Sequence, residues 1–394
     1  MIRCFLFLLA CLFLLSECPS QLQAQDTYPE FKFSPHSAYW PTNGWKYSTP
    51  ETQGMHSGHL AMMFKQINDG KYYINSVLVV KNGYIVAEAD RSEPEHTRPL
   101  WSSTKSILSG LVGIALDRGV LKNPDQRTLE FFPRQETQKK DPLKKAIRLG
   151  HLLSMRSGLD WPETQTSLAY DKNPEYQMEM SHNWAEYVLK RPMAQNPGTI
   201  FNYSSGNYIV LTAVLNNAGL DVERFARRHL FAPLGITPDR YFWNKTNEGL
   251  PNGSHGLVMC PRDMAKIGYL YLKGGQWDGR QVISKGWVSA SAKIQAQMNW
   301  KGFVANHYGY GWYLQPYGFH SLGYQGQFIV VMPGIDAVAV FTSELALHEL
   351  ELPLKWVETY IVPAAKAGSP IPPNKKNASA LQREIKKFDE TPYW

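Results

Sequence analysis

Ser102 and Lys105 carry the most pointed chemistry in this sequence. In Ser102-Ser103-Thr104-Lys105 a serine is followed three positions later by a lysine, a spacing that no other serine of the chain has. On a helix, residues three apart share a face, so the lysine amine can meet Ser102 Oγ. Ser102 also falls at the expected start of an apolar helix, directly after Leu100-Trp101. There, unpaired backbone N–H groups and the helix dipole favour negative charge on Oγ and on a neighbouring oxyanion. Burial beneath Trp101 would lower the lysine pKa and leave an uncharged amine able to take the serine proton. A second element is Phe201-Asn202-Tyr203-Ser204-Ser205-Gly206-Asn207-Tyr208. A tyrosine on a polar turn before an apolar helix can bring its phenol to such a pair and pass protons to a leaving group. The third is His320-Ser321-Leu322-Gly323-Tyr324-Gln325-Gly326-Gln327, where Gly323 and Gly326 let backbone approach a ligand.

The elements that must position these residues can be read around them. Residues 26–54 form an extended lead-in, and a helix is expected over His56 to Ile67, with Leu60, Met63, Phe64 and Ile67 on one face. Two β-branched runs flank Asn82-Gly83, a pair that tolerates positive φ at both turn positions, which predicts a β-hairpin. The helix carrying the serine and lysine is expected over Ser102 to Arg118, stopped near Gly119. From 120 to 300 the pattern is mainly helical, with candidates at 151–155, 184–190, 208–217 and 263–272. Strand signals return at 308–314, 327–332 and 337–342, with a closing helix over Leu352 to Val362. Strands at both ends of the chain imply one antiparallel sheet, assigned with its helices to residues 26–120 and 300–366. Residues 121–299 would form a second, mainly helical lobe, residues 367–394 a loosely held tail, and the cleft between lobes the site.

Taken in order, these motifs carry a resemblance. Ser102-x-x-Lys105 resembles the Ser-x-x-Lys signature of β-lactamases and penicillin-binding proteins. Tyr203-Ser204-Ser205 is similar to the Tyr-x-Asn element of the class C β-lactamase branch, and Ser321-Leu322-Gly323 occupies the place of its Lys-Thr-Gly strand motif. Similar stretches continue at residues 152–159, 231–236 and 261–268, most like the branch that includes 6-aminohexanoate-dimer hydrolase and related esterases. The resemblance implies an α+β, transpeptidase-like fold: an antiparallel sheet flanked by helices, plus the helical lobe. It implies an acyl-enzyme on Ser102, Lys105 and Tyr203 as proton carriers, and an oxyanion hole from the N–H groups of Ser102 and Tyr324, with no cofactor and no metal. Gly323, Gln325, Ser205 and His255 join the expected substrate contacts, and Asp160 and Trp161 are expected to shape the pocket. Ser205 replaces the family asparagine, and Ser321-Leu322 replaces Lys-Thr. Those groups hold the amide and carboxylate of β-lactams, so a smaller amide or ester is the expected substrate. The alternative is a weakly acylated or non-catalytic protein that binds envelope peptides or acyl compounds in the same cleft.

Composition bounds the rest. The 394 residues, 43% hydrophobic and 19% charged, suit a globular chain with a sizeable core. Arg3 followed by the short apolar run Phe5 to Leu15 reads as a secretory signal ending near Ala24, implying export to the periplasm or beyond and no stable membrane span after cleavage. Cys4, Cys11 and Cys18 would leave with it, so Cys260 remains alone and is expected to be a buried structural thiol. The net charge of +7 comes from scattered basic pairs, not one stripe, which argues against a nucleic-acid partner.

Overall fold

The computed structural model describes residues 28–93, 95–133, 140–166, 171–298, 305–365 and 369–391. The expected signal, residues 1–24, lies outside them. The first helix, α1, spans Ser57–Gly70 and buries the predicted stripe of Leu60, Met63, Phe64 and Ile67. Strands β1 (Ile74–Lys81) and β2 (Tyr84–Asp90) follow as the expected hairpin. Its turn residues Asn82 and Gly83 have φ of 51° and 86°, the left-handed geometry that matches strand twist in a two-residue turn.

Helix α2 (Thr104–Asp117) is buried from Thr104 to Ala115, so apolar residues all round it have a core to fill. A second buried helix, α3, covers Ser205–Asn217, and α4 covers Pro261–Leu272. The rest of the sheet comes late: β3 (Ala296–Gln297), β4 (His307–Tyr308), β5 (Tyr313–Gln315), β6 (Gly318–Gly323), β7 (Gln327–Met332) and β8 (Ala337–Ser343). The order is β2-β1-β8-β7-β6-β5-β4-β3, with every neighbouring pair antiparallel. The two ends of the chain therefore meet at β1 and β8, as expected. The boundary placed at residue 299 falls late, because β3 already belongs to this sheet.

Side-chain alternation explains how the sheet is covered on both faces. Val77, Val79, Phe328, Val330, Ala339 and Phe341 face α1 and the C-terminal segments. Their neighbours Leu78, Val80, Ile329, Val331, Val338 and Val340 face α2, α3, α4 and the helical region. The nucleophile candidate lies on this second side. Among the described residues, no helix is long and apolar enough to cross a membrane.

The tail departs from expectation. Within 367–394, Lys375–Glu390 forms helix α5, which lies against α1. Its polar composition hides two anchors, Leu381 and Phe388, seven residues apart and both buried. Phe388 meets Phe64 edge-on at 6.1 Å between centroids, and the Arg91 guanidinium sits 4.7 Å over its ring. Phe388→Ala should cost about 3–5 kcal/mol of stability in urea unfolding, as other buried aromatic truncations do. A loosely held tail would show no loss.

Candidate active site

The serine expected at the first turn of a helix sits just before it. Trp101–Ser103 forms a separate 3-10 turn, and α2 starts at Thr104. Trp101 holds φ at 48°, a left-handed conformation costly for a bulky residue and typical of functional turns. The turn is tied down at its far side, where Ser103 Oγ donates to the Gln327 carbonyl at 2.8 Å. Ser102 itself is only half-buried.

Lys105, on the first turn of α2, points back at it. Its Nζ lies 2.9 Å from Ser102 Oγ, 3.2 Å from Ser205 Oγ and 3.0 Å from the Ser254 carbonyl. The side chain is 1% exposed. Burial pushes its pKa below the usual lysine range, while the charges of Glu163 and Glu175 act in the opposite direction. Tyr203 completes the group. Its ring centroid is 4.9 Å from Lys105 Nζ, and its phenol is hydrogen-bonded to Ser102. Burial raises the phenol pKa well above the usual value, and the Ser102 hydrogen bond pulls the other way. The structure thus brings Ser102, Lys105 and Tyr203 into one hydrogen-bonding group.

Ser205 opens α3, capped by Ser204 Oγ, which accepts from Asn207 N at 3.2 Å. Where the family has asparagine, Ser205 bridges Lys105 to a carboxylate that sequence reasoning missed. Ser205 N donates to Glu163 Oε2 at 2.7 Å and Ser205 Oγ to Glu163 Oε1 at 2.8 Å, while Trp161 Nε1 reaches Oε2 at 2.6 Å. Burial, reinforced by the charge of Glu175, raises Glu163 to about 7. Glu163 stands two residues beyond the Asp160-Trp161 pair singled out in the sequence, which was the nearest available signal. Asp160 forms a half-exposed ion pair with Arg191 at 2.8 Å, and Trp161 Nε1 is bonded to Glu163.

His255 lies deeper in this network than a loop histidine would. Its Nδ1 is 3.2 Å from Glu175 Oε1 and its Nε2 is 3.0 Å from Glu179 Oε1. Burial opposes the imidazolium, but these carboxylates outweigh it and raise His255 to about 9. The imidazolium in turn holds Glu175 below its ordinary range despite burial. The three side chains have a geometry that could hold a cation, yet each already has a partner in the others.

The strand side of the site is β6 and the turn after it. Gly323 ends β6 where a Cβ would lie 2.1 Å from the Leu100 carbonyl, so only glycine permits this approach to the start of the Trp101–Ser103 turn. Gly323→Ala should part strand and turn, lowering kcat/KM about 10²-fold, the usual effect of an ångström-scale misplacement. Unchanged turnover would show that this approach does not matter. Tyr324 is half-exposed and meets Trp101 edge-on at 5.7 Å. Gln325 takes φ of 60°, its carbonyl held by Ser343 Oγ at 2.7 Å. In the place of the family lysine, Ser321 is fully buried and accepts from Ile329 N at 3.1 Å. Cys260 lies apart from the site, buried beside Asp263 and Arg240, with a thiol pKa raised to about 12 by burial.

Residues 67–349 match the Beta-lactamase family. The chain belongs to that family. A 6-aminohexanoate-dimer hydrolase from Paenarthrobacter ureafaciens is 25% identical over 289 residues, covering 68% of this chain and 72% of the relative. Among solved structures, a candidate 6-aminohexanoate-dimer hydrolase from Bacillus anthracis superposes with a TM-score of 0.65 at 17% identity, over 85% of this chain and 90% of that one. A D-amino acid amidase from Ochrobactrum anthropi gives 0.58 at 16% identity, over 77% and 98%. The eight-stranded sheet with its helices is the fold that these structures share with the chain. The family and its hydrolase relatives favour a hydrolase over a non-catalytic binder.

Proposed function

We propose that this chain is an exported serine hydrolase that opens a small amide or ester through an acyl-enzyme on Ser102. The observation that carries the reading is the Lys105 amine, buried and 2.9 Å from Ser102 Oγ, with the Tyr203 phenol on the same hydroxyl. An amine stripped of water gives up its charge readily and becomes a base. In acylation Ser102 Oγ attacks the carbonyl as its proton passes to Lys105. The tetrahedral oxyanion faces the N–H groups of Ser102 and Tyr324, and Tyr203 delivers a proton to the leaving amine or alcohol. Water then repeats the sequence on the acyl-enzyme with the roles reversed.

The strand edge argues for the substrate class. Ser321 spends its hydroxyl on the backbone, and Leu322 beside it is apolar, so neither supplies the cation that grips a β-lactam carboxylate. The amide substrate in the name of the Paenarthrobacter relative supports a linear amide, and simple esters remain within the same chemistry. The test treats the purified protein with a fluorophosphonate, locates the adduct by mass spectrometry, and screens linear ω-amino-acid amides, D-amino-acid amides, short esters and β-lactams. The reading expects an adduct on Ser102 and turnover of an amide or ester well ahead of any β-lactam. No adduct on Ser102 would overturn it; stable adducts without turnover would favour a binder. Cleavage near Ala24 in the exported protein, read by N-terminal sequencing, tests export.

A further inference from the structure

Lys105 and Glu163 are both buried and are joined by one hydroxyl, that of Ser205. An ion pair held at one remove receives a weak Coulomb return for two desolvated charges, whereas an amine and a carboxylic acid leave no charge in the interior. We propose that Glu163 is a positioning residue that takes, through Ser205, the proton Lys105 must shed before it can act as a base. This deepens the hydrolase reading and rests on it. The transfer balances. One Lys105 N–H bond breaks as its proton binds Ser205 Oγ, and the proton already on Ser205 passes to Glu163 Oε1, so an ammonium and a carboxylate become an amine and an acid.

The surroundings fit the product. Glu163 Oε2 is fixed as an acceptor by two donors, Ser205 N and Trp161 Nε1, so the proton belongs on Oε1. Once there, Oε1–H donates back to Ser205 Oγ, and the Ser205 hydroxyl can turn to Glu175, which also accepts a hydrogen bond from it. The neutral Lys105 amine keeps N–H donors for Ser205 Oγ and the Ser254 carbonyl, leaving its lone pair for Ser102. The charged groups around the pair favour the same state. Glu175 is ionised against His255, with Glu179 on the other side of the imidazole, and a neighbouring carboxylate disfavours a second negative charge on Glu163. The other titratable groups against the pair, Tyr203 and Tyr313, are phenols raised by burial and stay neutral.

Glu163→Gln copies the product, since its amide nitrogen can donate where Oε1–H would and its oxygen can accept where Oε2 does. The experiment follows the rate of Ser102 labelling by a fluorophosphonate against pH in wild type and Glu163→Gln, with infrared spectra of both at neutral pH. The proposal expects a protonated carboxylic acid band in wild type that Glu163→Gln lacks. It also expects the acid limb of the labelling profile to move by well under one pH unit. A missing acid band with the limb displaced by about one unit or more would mean a charged pair, and would overturn it. A missing band with an unchanged limb would reduce Glu163 to a structural role, and a band with a displaced limb would detach it from the base; both overturn the proposal. Should Glu163→Gln fold poorly, Glu163→Asp assigns the band by shifting it. The infrared arm needs no turnover, so a wild type that fails to label Ser102 strikes the hydrolase reading and not this one.

Discussion

Ser102→Ala is expected to lower kcat on the best amide or ester substrate by about 10⁶-fold, leaving a residual rate about 10³-fold above water. On the proposed mechanism the loss is this large because the hydroxyl is the atom that bonds to the carbonyl carbon, and no neighbour can replace it. The serines nearest Lys105 are otherwise engaged: Ser254 offers the amine its carbonyl, and Ser205, although 3.2 Å from the amine, donates its hydroxyl to Glu163. The residual rate comes from the oxyanion donors and from binding, which the substitution spares. Because Ser102 is half-buried on a turn already anchored by the Ser103 bond to Gln327, the fold should survive and substrate affinity should change little. Burst and steady-state kinetics on the same preparation, with intact mass after probe treatment, check this. A variant that keeps a tenth of the wild-type rate would place the nucleophile elsewhere.

Lys105→Ala is expected to slow acylation by about 10³-fold, within the range that a positioned general base contributes. Lys105→Arg should be no better, and the comparison is the informative one. A guanidinium keeps the positive charge but cannot shed its proton at any working pH. If Lys105 served only as a cation beside the oxyanion, arginine would restore part of the rate. If it serves as a base, both variants fail alike. The sign of the pH dependence follows from the same burial. For a base the working form is the uncharged amine, so acylation is expected to fall as pH drops and the amine takes up a proton. Removing the side chain also leaves the Ser254 carbonyl without its donor, which should cost about 1–3 kcal/mol in thermal or urea unfolding. Single-turnover labelling across pH, read beside the melting curves, separates the two effects. Near-normal labelling in Lys105→Ala would remove it from the role of base.

The sequence was informative where local rules act alone. Alternating β-branched residues around Asn82-Gly83 yield the hairpin, and the 3.6-residue stripe of α1 lies where its spacing puts it. Ser102, Lys105 and Tyr203 were legible because three short motifs recur in a fixed order, although 98 residues separate the lysine from the tyrosine. Two features misled. The charged, proline-led C-terminus has the composition of a loose tail, yet two apolar residues seven apart dock it as α5. The serine-to-lysine spacing reads as one helix, yet Trp101 in a left-handed conformation makes a separate turn of the serine.

Residue types and their order determined by themselves which hydroxyl, amine and phenol are available, and that a sheet is built from both ends of the chain. Only the tertiary structure decided the direction in which burial and neighbouring charges push their pKa values. Glu163, Glu175 and His255 stand at scattered positions in loops and short helices, with no periodicity or motif to link them. Their effect on Lys105 depends on distance and on the exclusion of water, and both arise only when the helical region closes over α2. A linear sequence records which groups can ionise, and packing sets how strongly each is held to one form.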